Sequence, residues 1–255
     1  MKHPARKKWG QHFLTDTNLL HKLVRIIDLR PKDQILEIGP GGGALTELIA
    51  PKVKKYVGVE IDKDLYQILT SDDFLKDYAF INDDFLKLDL SALPFDDGLI
   101  RVIGNIPYNI TSPIIFKLLE SNVTWQDIHI MVQKEVAERL IAKPGTKVYG
   151  RLSVMVQVLV DVKQKLVIRP EVFVPKPMVD SVFISLRFHE RYQLSPETYN
   201  RLKHVVKAAF GQRRKMLRNS LSEFHFKDDL GIDFTRRPES LSVNEFILLA
   251  ENIII

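Results

Sequence analysis

The chain has 255 residues, 45% of them hydrophobic, and a formal net charge of +5, enough for one large α/β domain with a small appendage and a core that needs no external staple. It contains no cysteine, which excludes disulfides, thiolate metal sites and cysteine nucleophiles of the kind that attack a pyrimidine ring. No apolar run approaches the ~18 residues of a membrane span, and the stretch from Met1 to Gly10 is basic without an apolar signal core, so a cytoplasmic protein is expected.

Lys2, Arg6, Lys7 and Lys8 all precede the first acid, Asp16. Asp16 or Thr17 can cap a first helix whose apolar face is Leu19, Leu20, Leu23, Ile26 and Ile27, and Gln34 to Gly39 follows as a buried strand. A glycine loop leads to a helix near Ala44 to Ile49, a strand Tyr56 to Ile61, a helix from Lys63, and strands near Phe80 to Asn82 and Ile100 to Gly104. Ser112 and Pro113 read as the cap and first turn of a helix through Leu119. A strand His129 to Val132 and a helix Glu135 to Ile141 come next. This alternation predicts a mostly parallel, doubly wound sheet. Val154 to Val160 and Val179 to Phe188, joined by a loop holding Pro170, Pro175 and Pro177, predict an antiparallel pair at one edge.

From His189 to Pro196 the composition turns polar. Beyond it only helices are predicted: Glu197 to Phe210, Arg213 to Leu221, and one near Val243 to Asn252. The expected division is therefore residues 1–190 and 191–255. Between Tyr199 and Ser222 stand Arg201, Lys203, Lys207, Arg213, Arg214, Lys215 and Arg218 with no carboxylate. Either basic run alone reads equally well as a solvated face. Together they fit a polyanion, with Lys7, Lys8, Arg213, Arg214, Lys215 and Arg218 as the expected contacts.

The segment Glu37-Ile38-Gly39-Pro40-Gly41-Gly42-Gly43-Ala44 lies between a strand and a helix, where a doubly wound sheet holds a nucleotide-like ligand. Gly39 and Gly41 let backbone approach that ligand. Gly39, Gly41 and Ala44 also satisfy a dinucleotide fingerprint, and Glu60, with Ile61 beside it, can accept from the ribose hydroxyls of either cofactor. Glu37 and Asp84 favour a methionine-adenosyl ligand, as acids placed to bind its ammonium or its adenine amine. The structural alternatives are that Glu37 fixes the glycine loop and Asp84 is a cap. Asp83 competes for the adenine contact. Asp84 is preferred because Phe85 and Leu86 follow it and can lay an apolar wall beside the ring.

Asn105-Ile106-Pro107-Tyr108 follows the fourth strand, beside the expected ligand. An adenine amine is a poor nucleophile because its lone pair is delocalised into the ring. The Asn105 side-chain oxygen and the Ile106 carbonyl can accept its two hydrogens, pyramidalising the nitrogen with no strong base. Pro107 stiffens the loop, and Tyr108 offers a face for stacking a flipped base, worth roughly 1–3 kcal/mol. Phe173, in Phe173-Val174-Pro175-Lys176-Pro177, is expected as a second wall, although a plain edge-loop aromatic reads almost equally well. The histidines are scattered without metal-ligand spacing, so no metal is expected.

These motifs in order, with Gly10-Gln11-His12-Phe13-Leu14 before them and Gln133-Lys134-Glu135-Val136 between, resemble the KsgA ribosomal RNA adenine dimethyltransferases across nearly the whole chain. Phe210-Gly211-Gln212-Arg213-Arg214-Lys215-Met216-Leu217-Arg218-Asn219-Ser220-Leu221 is similar to that family's C-terminal domain and favours it over the erythromycin-resistance methylases. The resemblance implies a Rossmann-like class I methyltransferase fold with a seven-stranded sheet, an antiparallel edge hairpin and a small all-helical C-terminal domain that binds RNA. It also implies S-adenosylmethionine as cofactor, contacted by His12, Leu14, Gly39, Glu60, Asp84 and Asn105. The implied reaction is dimethylation of two adjacent adenosines near the 3′ end of 16S RNA, on the immature small subunit; nothing in the sequence demands an oligomer, so a monomer is expected. The rival readings are an assembly factor that works chiefly by binding the subunit and a methylase of DNA adenine.

Overall fold

The computed structural model describes residues 10–227 and 229–254. The chain begins with β1 (Phe13–Leu14) and α1 (Thr17–Ile27), whose N-cap is Asp16, accepting from the Leu19 amide. Next come β2 (Gln34–Ile38), a short α2 (Thr46–Ile49), β3 (Lys55–Glu60), α3 (Lys63–Ser71), β4 (Ala79–Asn82) and β5 (Ile100–Gly104). They are followed by α4 (Thr111–Leu119), β6 (Trp125–Gln133), α5 (Lys134–Leu140), α6 (Arg151–Gln157), β7 (Val160–Ile168), β8 (Phe173–Val174) and β9 (Ser181–Phe188). The remaining elements are α7 (Pro196–Gly211), α8 (Leu217–Ser220), β10 (His225–Phe226), α9 (Val243–Glu251) and β11 (Ile253–Ile254).

Seven strands form one sheet in the order β4-β3-β2-β5-β6-β9-β7. β2, β3, β4, β5 and β6 are parallel, and β9 runs antiparallel to β6, so the predicted α/β class holds. Every residue of β2 and β5 is buried, as expected for central strands covered on both faces. Leu20, Leu23, Val24 and Ile27 of α1 form a core cluster with Ile35, Ile103, Met131, Phe183 and Phe173, each fully buried side chain contributing roughly 1.5–3 kcal/mol.

The end of the sheet away from the strand C-termini is closed by a buried ion network. The Arg101 guanidinium donates to both Asp127 oxygens at 2.8 and 2.9 Å, to Asp33 at 2.7 Å, and to the Ile27 and Asp28 carbonyls at the end of α1. Burial opposes ionisation of Asp127, but hydrogen bonds from His129 and Arg101 outweigh it and hold the carboxyl at about 2.

Contacts divide the chain into two units, and the division is not the contiguous one expected at residue 190. Glu135–Val162 groups with His189–Ile255, while Lys163–Phe188 stays with the N-terminal unit. In the second unit α7 packs on α6 and α9. Its core includes buried Tyr149 edge-on to Phe210, which in turn lies 5.6 Å from Phe246.

Several predicted elements are corrected. Val154 to Val160 is not a strand: Arg151–Gln157 is helical, and the edge strand begins at Val160. Burial of Val154, Met155 and Val156, and a Ser153 hydroxyl accepting from the Gly150 amide, override the β-branched preference. Arg213 to Leu221 is helical only over Leu217–Ser220, because the Leu217 and Arg218 amides are taken by the Arg236 and Phe234 carbonyls. α4 starts one residue before Ser112, which is not its cap; Ile110 is, with no side-chain bond. The region beyond α7 is not purely helical, since β10 pairs with β11.

Candidate active site

Strand register assembles the site. Ile38 stands opposite both Val59 and Gly104, and Glu60 opposite Asn82, so Gly39, Glu60 and Asn105 leave neighbouring strands at one level. The chain moves outward from β2 to β3 and β4, then returns to β5 on the other side of β2. That makes the carboxyl ends of β2 and β5 the topological switch point. The β2 and β5 backbones must also lie close: a Cβ on Gly104 would sit 2.9 Å from the Ile38 carbonyl oxygen.

Gly39 and Gly41 have φ of +70° and +61°, a region costly to residues with a Cβ. The Glu60 carboxylate ties the loop down, accepting from the Gly41 and Asp62 amides at 2.9 Å each. Burial raises its pKa, partly offset by those amides. An ionised carboxylate has about four lone-pair sites, so Glu60 keeps acceptor capacity for ribose hydroxyls. Ile61, half-buried, follows it.

Glu37 sits beneath the loop. It is 2% exposed, and its Oε2 accepts from the Tyr56 hydroxyl at 2.6 Å and the Thr46 hydroxyl at 2.8 Å. Burial pushes its carboxyl up to about 7 against those two bonds. The expectation of a ligand contact is corrected in favour of the structural alternative: Glu37 joins β2, β3 and α2 under the glycines.

Asp84 accepts from the Leu86 amide at 3.0 Å and Asp83 from the Asp84 amide, so both acids organise the turn; Asp84 is partly buried and Asp83 exposed. Phe85 is not an open wall. It is buried, with the Lys117 ammonium 5.8 Å from its ring centroid. Lys117 also donates to the Leu86 and Leu88 carbonyls at 2.9 and 2.6 Å, clasping this loop to α4. Leu86 alone stays partly open for an adenine edge.

Over the glycine loop runs the segment from Gly10. Gln11 donates to Asp62. A Cβ on Gly41 would meet the Phe13 ring at 3.1 Å, and Phe13 and Leu14 pair antiparallel with Val174 and Phe173. Nothing in the linear pattern marks Gln11, Asp62 or Lys117 as organisers, because their partners lie far along the chain.

The Asn105 Nδ2 donates to the His12 carbonyl at 2.7 Å. That contact turns Oδ1 the other way, and no donor among the described residues takes it. Ile106 is buried as a whole residue, at 1% exposure. Pro107, extended, opens a single 3-10 turn at Tyr108. The Tyr108 ring stacks on His12 at 5.4 Å and 23°, and its hydroxyl is hydrogen-bonded to Ser181. Burial raises the Tyr108 pKa, so it is a neutral phenol. Phe173 is corrected: at 2% exposure its ring belongs to the core cluster beneath the site and offers no free face.

Of the expected RNA contacts, Arg214, Lys215 and Arg218 are exposed. Arg213 is partly exposed, its guanidinium donating to the Lys147 carbonyl at 2.7 Å with Glu239 nearby. Lys7 and Lys8 lie outside the described residues. Among the described residues no cluster of three or more metal-ligating side chains occurs, and no helix is long and apolar enough to cross a membrane.

Residues 2–253 match the family described as ribosomal RNA adenine dimethylase. Two relatives carry the name ribosomal RNA small subunit methyltransferase A. The one from Leptothrix cholodnii is 44% identical over 98% of this chain and 92% of its own length. The one from a Janthinobacterium species is 42% identical over 99% of this chain and 100% of its own. Among solved structures, a dimethyladenosine transferase from Plasmodium falciparum superposes with a TM-score of 0.79 at 23% identity, over 96% of this chain and 100% of that one. The 23S rRNA methyltransferase ErmE gives 0.68 at 26%, over 94% and 98%.

Proposed function

The chain belongs to the ribosomal RNA adenine dimethylase family, and from that premise we propose that it dimethylates the exocyclic amines of two adjacent adenosines near the 3′ end of 16S RNA, on immature small subunits in the cytoplasm. It works as a monomer, and S-adenosylmethionine is the methyl donor. The cradle fits that donor: Gly39 and Gly41 hold backbone where a Cβ on Gly41 would strike Phe13, and Glu60 stands ready for ribose hydroxyls at the end of β3. Ile61, Asp84 and Leu86 would flank its adenine, and the backbone of His12 and Leu14 would cover it. When bound, the donor supplies an electrophilic methyl group on a sulfonium.

The observation that carries the reading is the polarity of Asn105. With Nδ2 committed to the His12 carbonyl, Oδ1 faces the entering amine as an acceptor. The Ile106 carbonyl supplies the second acceptor. Together they would hold the amine hydrogens out of the ring plane and free the nitrogen lone pair from conjugation; the same two dipoles favour the positive charge that develops on nitrogen, and the proton it then carries passes to water. The neighbouring acids do not serve as base, because Glu37 is buried and bonded beneath the loop and Glu60 is engaged by the Gly41 and Asp62 amides and reserved for the donor's ribose. Tyr108, with His12 on one face, leaves its other face for the flipped base. Arg214, Lys215 and Arg218 present the exposed charge for the RNA backbone.

The test is incubation of the purified protein with isotopically labelled donor and small subunits from cells lacking the modification, with the RNA mapped by mass spectrometry. Two neighbouring dimethyladenosines near the 3′ end are expected. Label in naked DNA duplex, or none in the subunit, would overturn the proposal.

A further inference from the structure

His12 joins three groups that are distant in sequence. Its carbonyl accepts from the Asn105 amide at 2.7 Å, its ring stacks on Tyr108, and its Nδ1 lies 2.7 Å from the Pro175 carbonyl. A carbonyl only accepts, so Nδ1 carries the hydrogen. That bond fixes the tautomer and the plane of the ring.

We infer that the His12 ring is a positioning group for methyl transfer: bonded to the Pro175 carbonyl and stacked on Tyr108, it fixes both the platform for the base and the place of the main-chain carbonyl that sets the polarity of the Asn105 amide. A side-chain amide has an acceptor end and a donor end that exchange by rotation about its last bond, and only the acceptor end helps an amine whose hydrogens must be drawn away. The His12 carbonyl decides which end faces the base. Its own place is secured on both sides: Phe13 and Leu14 pair with Val174 and Phe173, and Gln11 donates to Asp62. The ring bond to Pro175 ties the same residue to the β8 side of the site. One residue thus holds the acceptor and the stacking platform in register. This role is separate from a contact with the donor, and it rests on Asn105 being an acceptor for the amine.

The test uses the whole chain on unmodified small subunits, comparing His12→Ala with His12→Asn, which keeps a donor for Pro175, and His12→Phe, which keeps a ring. His12→Ala should lower kcat at saturating donor by roughly 10- to 100-fold while donor affinity changes by less than about three-fold, with partial rescue by each of the other two. Asn105→Ala runs beside them as the control on the underlying reading. Wild-type kcat in His12→Ala with an impaired Asn105→Ala overturns this inference alone. So does a His12→Ala defect confined to donor affinity. Should His12→Ala fail to fold, wild-type kcat in both His12→Asn and His12→Phe overturns it. An Asn105→Ala protein with full turnover overturns the reading beneath it.

Discussion

Glu37→Gln tests how the glycine loop is held. The wild-type carboxyl is 2% exposed and titrates at about 7 in the folded chain against a normal 4.5. A carboxyl whose folded pKa is raised binds more protons folded than unfolded across that interval, so its contribution to stability falls as pH rises from about 4.5 to about 7. A shift of that size corresponds to about 3 kcal/mol. Glutamine is nearly isosteric and neutral, and its oxygen can still accept from Tyr56 and Thr46. Urea unfolding of both proteins at pH 5 and pH 8 isolates the effect. The stability of Glu37→Gln relative to wild type should rise by roughly 2–3 kcal/mol between those pH values. A difference that is the same at both would refute the claim that Glu37 is a buried brace with a raised pKa.

Gly41→Ala places a Cβ 3.1 Å from the Phe13 ring at a φ of +61°; isothermal titration should show donor affinity weakened about tenfold or more, and an unchanged Kd would contradict the cradle. Arg101→Met strands the Asp33 and Asp127 carboxylates in the interior, so denaturant unfolding should reveal a loss of about 3–5 kcal/mol, partly recovered by adding Asp127→Asn; a loss under about 1 kcal/mol would show that the network is dispensable. Charge reversal at Arg214, Lys215 and Arg218, all exposed, should weaken subunit binding and flatten its dependence on salt by roughly two units of slope, measured by filter binding across a salt series. A slope equal to wild type would place the RNA elsewhere.

Sheet and site were legible in the sequence to different degrees. The central strands β2, β3 and β5 are short apolar runs punctuated by glycine and polar residues, so their C-terminal motifs, the glycine loop, Glu60 and Asn105, fell at one edge of a parallel sheet. Residues whose roles depend on partners far along the chain were not legible. Glu37 reads as a ligand acid until Tyr56 and Thr46 fold onto it. Phe173 reads as a wall of the site until Leu14 is brought to it, and Arg213 as an unengaged cation until the Lys147 carbonyl and Glu239 come within reach. Val154 to Val160 misleads because its β-branched residues are buried in a helix, where packing and not propensity decides. Asn105 was identified by its position after a strand, but the direction of its amide is set by a main-chain oxygen 93 residues away.

The claim most directly open to measurement is that the Asn105 oxygen draws the target amine out of conjugation. Single-turnover methyl transfer to unmodified small subunits, at saturating donor, compares Asn105→Ala with wild type. The rate constant should fall by roughly 10²-fold or more. A rate constant matching wild type would mean that the amine is activated by some other group.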